Sequence, residues 1–104
     1  MMVTGQTYYT AFHLTTQNPA NVRLRVSKDD RQLRLEPQEM GTHLLRAVPA
    51  FERLTQSPTP FGIELQQQNL TYFQPGMEND EDRLFTVLEA MCDLADAVGP
   101  YTPR

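Results

Sequence analysis

The residues of this chain that could do chemistry are few and far apart. His13 and His43 are the only histidines and Cys92 the only cysteine. The histidines do not fall in the HxxxH or HExxH spacing that turns two imidazoles toward one metal ion. A lone thiol has neither a second ligand for zinc nor an internal disulfide partner. Cys92 lies on the apolar side of a helical pattern, where a thiol is a small core residue rather than a nucleophile. Ser27 and Ser57 sit in turns with no adjacent base, and the five glycines never gather into a phosphate-cradling loop. Glu78, Asp80, Glu81 and Asp82 lack the alternating ligand phase and the twelfth-position glutamate of a calcium loop. The start of a helix accounts for them, because carboxylates favour the positive end of its dipole. No catalytic residue, no metal site and no cofactor is expected, and the chain does not read as an enzyme.

Charge is more informative in its distribution than in its total. Glu78 to Asp96 carries seven acids against one arginine, whereas Arg23 to Arg34 carries five basic residues against two acids. The overall charge of −4 argues against nucleic acid as a partner, since phosphate binding needs a basic domain. The basic segment holds the candidate binding residues Arg23, Arg25 and Arg34. If Ser27–Asp30 closes a four-residue loop, Leu24 opposes Leu33, Arg23 opposes Arg34, and Arg25 stands beside Gln32 on the same polar face. Like charges directly opposed must be compensated. Either an acid on a neighbouring strand such as Glu64 does so, or the arginines receive an acidic group from a partner.

The elements that hold these residues are legible from periodicity. Tyr8, Phe12 and Leu14 within Thr7–Thr16 mark a first strand, and Asn18–Asn21 turns the chain. Val22, Leu24 and Val26, then Leu33 and Leu35, alternate as a hairpin. From Pro37 to Leu54 the period becomes helical, with Met40, Leu44, Leu45, Val48, Phe51 and Leu54 on one face and Pro49 forcing a kink or a break. Thr42 is a candidate cap if Gly41 ends an initial turn. Phe61–Leu65 and Leu70–Phe73 form a second hairpin around Gln66–Asn69, with Asn69 the residue expected at positive φ. That loop carries the sequon Asn69-Leu70-Thr71, read here as a turn. The final helix begins with Asn79 or Asp80 as cap and stops at Gly99-Pro100. Its apolar stripe is read as Leu84, Phe85, Leu88, Met91, Cys92, Ala95 and Val98, packing on Phe61, Ile63 and Leu65.

The resulting order is β-β-β-α-β-β-α, an α+β fold with helices on one face of a mainly antiparallel sheet of about five strands. The length of 104 residues suits one domain spanning 1–104, with 1–6 frayed and 100–104 a tail. The start Met1-Met2-Val3-Thr4-Gly5 lacks the basic and apolar segments of a signal peptide, and no apolar run is long enough for a membrane span. A cytoplasmic location is the expectation that follows.

Two resemblances bear on this order. Ala11–Leu14, Val22–Leu35, Phe61–Phe73 and Leu84–Val98 resemble the bacterial type III secretion chaperones, small acidic cytoplasmic proteins, although that family begins with a helix before its first strand. The resemblance implies a chaperone-like homodimer that binds a protein. Pro37-Gln38-Glu39-Met40 with Leu44-Leu45, the 61–73 hairpin and the closing helix are similar to the C-terminal domain of a family of bacterial membrane-anchored proteins. That similarity implies a fold, and membrane contact only as part of a longer anchored chain.

The first functional expectation is therefore a non-catalytic module for a protein or peptide partner, associating also with itself. The alternative is a small-molecule sensor or enzyme with a pocket between the kinked helix and the sheet, using Tyr8, Tyr9, His13 or His43.

Overall fold

The computed structural model describes residues 9–29, 32–76 and 80–98. Strands β1 (Tyr9–Thr15), β2 (Leu24–Lys28) and β3 (Leu33–Glu36) precede helices α1 (Gln38–Ala47) and α2 (Pro49–Gln56); β4 (Phe61–Gln66), β5 (Asn69–Pro75) and α3 (Glu81–Val98) follow. The five strands form one antiparallel sheet in the order β1-β5-β4-β2-β3. The α+β class and the element order agree with the sequence. Tyr8, Asp30, Glu78, Asn79 and the stop at Gly99-Pro100 lie outside the described residues.

Alternation along the strands sends Leu24, Val26, Phe61, Ile63, Leu65, Leu70 and Tyr72 to the helix-covered face, where all are buried. Met40, Leu44, Phe51 and Leu54 meet them from α1 and α2. Pro49 breaks the helical run as expected, because its ring cannot continue the hydrogen-bond ladder of α1; it becomes the first residue of α2, where a missing N–H costs nothing. Val48 joins the two helices, its N–H still donating to the Leu44 carbonyl at 2.9 Å.

Several local expectations are corrected. Gly41 does not end a turn and Thr42 caps nothing: Gly41 is buried inside α1, where a Cβ would stand 2.5 Å from the Cβ of Leu35. The sharp turn between β4 and β5 is two residues long, with Gln66 paired to Asn69, so the positive φ falls on Gln67 at 55° rather than on Asn69. Positive φ at the first central residue is the arrangement whose twist suits a tight hairpin. The β2–β3 loop is Asp29–Gln32, closed by Asp29 N–H donating to the Gln32 carbonyl at 3.0 Å and Gln32 N–H donating to Asp29 Oδ1 at 2.7 Å. Ser27 therefore opposes Arg34 and Arg25 opposes Glu36, in place of the expected Arg23–Arg34 and Leu24–Leu33 pairs. The aspartate supplies the loop closure that selects this register.

The largest correction concerns α3. Asp80 caps it as expected, its Oδ1 accepting from the N–H of Asp82 at 3.0 Å. The buried residues, however, are Val87, Ala90, Met91, Leu94 and Val98. Phe85 is 67% exposed, Leu88 is 38% exposed, and Cys92 is exposed rather than a core residue. The helix is turned by about one residue, roughly 100°, from the stripe read in the sequence. It packs on α2 as well as on the sheet, with Ala90 and Leu94 fully buried.

Candidate functional site

The sheet face away from the helices is a surface of exposed and partly exposed residues. Alternation places Ala11, His13 and Thr15 of β1 there, followed by Thr71 and Phe73 of β5, Gly62 and Glu64 of β4, Arg25 and Ser27 of β2, and Arg34 and Glu36 of β3. The registers line these up in rows across the sheet. One row runs His13, Thr71, Glu64, Arg25, Glu36, and the next runs Ala11, Phe73, Gly62, Ser27, Arg34.

The first row is polar and internally bonded. His13 Nδ1 and Thr71 Oγ1 are hydrogen-bonded at 3.0 Å, and Arg25 Nη2 donates to Glu64 Oε1 at 3.2 Å. Arg25 also stands directly opposite Glu36, so it has a carboxylate on each neighbouring strand. In the second row Phe73 is 48% exposed between the small residues Ala11 and Gly62. The missing side chain at Gly62 opens a shallow depression of about 380 Å³ bounded by Phe73, Arg25, Ser27 and Glu64.

The sequence-derived arginines are only partly gathered. Arg23 and Arg25 line a second depression of about 380 Å³ with Glu36, Pro37 and Glu64. Arg34 is set apart, its Nη2 donating to Gln32 Oε1 at 3.4 Å, and it lines a hollow with Leu33, Leu35 and Gln38. Acids are interleaved with these cations, as the Glu64 compensation anticipates. His43 is on the exposed side of α1, on an element remote from His13. Among the described residues no group of three His, Cys, Asp or Glu side chains is placed to hold a metal ion. No described helix is long and apolar enough to cross a membrane.

The chain matches no protein-family model, no curated protein and no solved structure. What it can do therefore rests on its own surface.

A second surface, missed by reading the sequence, lies on α3. Phe85, Leu88 and Cys92 follow one another at steps of three and four on the side turned from the core. Arg53 of α2 donates to Glu89 Oε2 at 3.0 Å, which places α2 along the Glu89 flank. By helical position Leu84, Leu88, Cys92 and Ala95 stand on the other flank, and α3 touches β1 as well as α2. Contact between α3 and β1 is fixed at the C-terminal end by Thr16 Oγ1, which donates to the Ala95 carbonyl at 3.0 Å. At the other end Arg83 Nη2 donates to the Tyr72 hydroxyl at 3.2 Å, and Tyr72 is the β5 residue paired with Phe12. The signal for this surface was in the sequence: α3 has more apolar residues than one buried face can use.

Proposed function

We propose that this chain is a non-catalytic interaction module whose partner is a protein or peptide. The observation that carries the reading is the outer side of α3. Val87, Ala90, Met91, Leu94 and Val98 already supply its core face, yet Phe85 and Leu88 stand in solvent at 67% and 38% exposure. Neighbouring large apolar side chains exposed on one helix face offer an anchor to a partner, because burying each on association removes apolar area from water. The resemblance of the element order to type III secretion chaperones points the same way. The space between α1, α2 and the sheet, where a ligand pocket would have to open, is occupied by Met40, Leu44, Phe51 and Leu54.

Photo-crosslinking in cells tests the reading. A benzophenone amino acid at position 85 or 88 should give discrete adducts, and the same group at exposed Gln38 should not. No adduct at 85 or 88 above that control would refute an interaction role for α3.

A further inference from the structure

The two edges of the sheet are built differently. β3 has four residues, carries Arg34 and Glu36 and runs into Pro37, the short, charged, proline-bounded form that resists pairing with another chain. β1 has seven residues, Tyr-Thr-Ala-Phe-His-Leu-Thr, with no Lys, Arg, Asp, Glu, Pro or Gly, and it keeps unbroken register with β5 from Tyr9 to Thr15. Within the strand it carries neither the charges nor the proline that guard β3.

The phase of its hydrogen bonds is fixed. Thr16 N–H donates to the Gln68 carbonyl at 2.8 Å, continuing the β1–β5 ladder. In an antiparallel pair, hydrogen-bonded and non-hydrogen-bonded residues alternate. Thr10, Phe12 and Leu14 therefore turn their backbone groups to β5, and Ala11, His13 and Thr15 turn theirs to the outer edge. Among the described residues no strand pairs there.

From this edge we infer that the chain forms a symmetric dimer in which β1 pairs antiparallel with β1 of a second copy, joining two sheets into one of ten strands. The inference rests on the interaction-module reading and names its partner. A second copy fits because β1 is complementary to itself. Centred on Phe12, the register gives all seven residues a partner, with Ala11 opposite His13 of the second copy and Tyr9 opposite Thr15 of the second copy. Those are the residues whose backbone groups point outward, so the outward donors and acceptors are satisfied without bringing like charges together. The same two-fold axis turns the two Leu84–Leu88–Cys92–Ala95 flanks toward each other above the new strand pair. The acids Asp82, Glu89, Asp93 and Asp96 remain on the far side of each α3. A dimer through the outer face of α3 alone would instead set those acidic rows against each other.

A strand pair with one helix flank is a small interface, so association on the order of tens of micromolar is expected. Sedimentation velocity and amide hydrogen exchange over about 5 to 500 μM test it. The expected result is a monomer–dimer equilibrium in which the Ala11, His13 and Thr15 amides gain protection with concentration, while Thr10, Phe12 and Leu14 are protected throughout. Ala11→Pro removes one outward donor and leaves the β5 ladder intact, and Leu88→Lys charges the helix flank. Each should weaken dimerisation at least tenfold, with circular dichroism and dilute-solution melting unchanged. Leu88→Lys and the exchange pattern keep the test decisive if Ala11→Pro does not fold. A strict monomer at the highest concentration overturns the dimer. So does a dimer with unprotected Ala11, His13 and Thr15 amides, or one indifferent to Leu88→Lys. The interaction-module reading fails separately, when positions 85 and 88 give no adduct with any protein; adducts only of foreign mass preserve it while removing the dimer.

Discussion

Gly41→Ala should destabilise this protein although it replaces glycine by the best helix former in the interior of a helix. Helix propensity alone favours alanine by about 1 kcal/mol. At Gly41, however, an added Cβ would lie 2.5 Å from Leu35 Cβ and 3.0 Å from both Leu35 Cγ and Cδ1. The nearest atom belongs to the root of the Leu35 side chain, so a rotamer change cannot relieve it and α1 must separate from β3. Overpacking costs about 1–3 kcal/mol, and a clash that no rotamer relieves belongs at the upper end, about 2–3 kcal/mol, which leaves a net loss of about 1–2 kcal/mol after the propensity gain. With a urea slope of about 1–2 kcal/mol/M, the unfolding midpoint should fall by roughly 0.5–2 M. Leu35→Ala removes the two 3.0 Å contacts but keeps the Cβ at 2.5 Å, so it should rescue Gly41→Ala only in part, with a coupling of about 0.5–1 kcal/mol in a double-mutant cycle. Urea denaturation of the four proteins by far-UV circular dichroism at low micromolar concentration measures all of this. A Gly41→Ala protein as stable as the parent would show that α1 and β3 separate freely and that the steric argument is wrong.

Three further outcomes are expected from the same measurement. Leu94→Ala, at a position with 0% exposure, should cost about 2–5 kcal/mol, whereas Leu88→Ala should cost less than about 1 kcal/mol; the reverse order would restore the helix rotation first read in the sequence. Gln67→Gly should stabilise by about 0.5–1 kcal/mol, since glycine tolerates the positive φ of that turn, and a loss would mean that the Gln67 side chain contributes more than its strain costs. Asp80→Ala should remove about 1 kcal/mol by freeing the Asp82 and Arg83 amides at the start of α3, and Asp80→Asn should recover most of it. Equal losses in both variants would assign the effect to charge near the helix dipole instead of to the cap.

Period and punctuation alone determined the order of elements in this chain. Alternation at Phe61-Ile63-Leu65 and Leu24-Val26, the proline at 49 and the aspartate at 80 act over a few neighbouring residues, and each produced the element expected of it. The rotation of α3 was not local. Its sequence offers two apolar faces a residue apart, and only packing against both α2 and the sheet selects the one with Ala90 and Leu94. Register was decided at the same level, by the Asp29–Gln32 loop in one hairpin and the Gln67–Gln68 turn in the other, and it gave Arg25 two carboxylates in place of Gln32 and set Ser27 rather than Arg23 opposite Arg34. The candidate sites divide the same way. Arg23, Arg25 and Arg34 could be listed from composition, but whether they gather depends on strand pairing. The β1 edge and the exposed side of α3 exist only once the tertiary fold has chosen which strand lies outermost and which helix face turns inward.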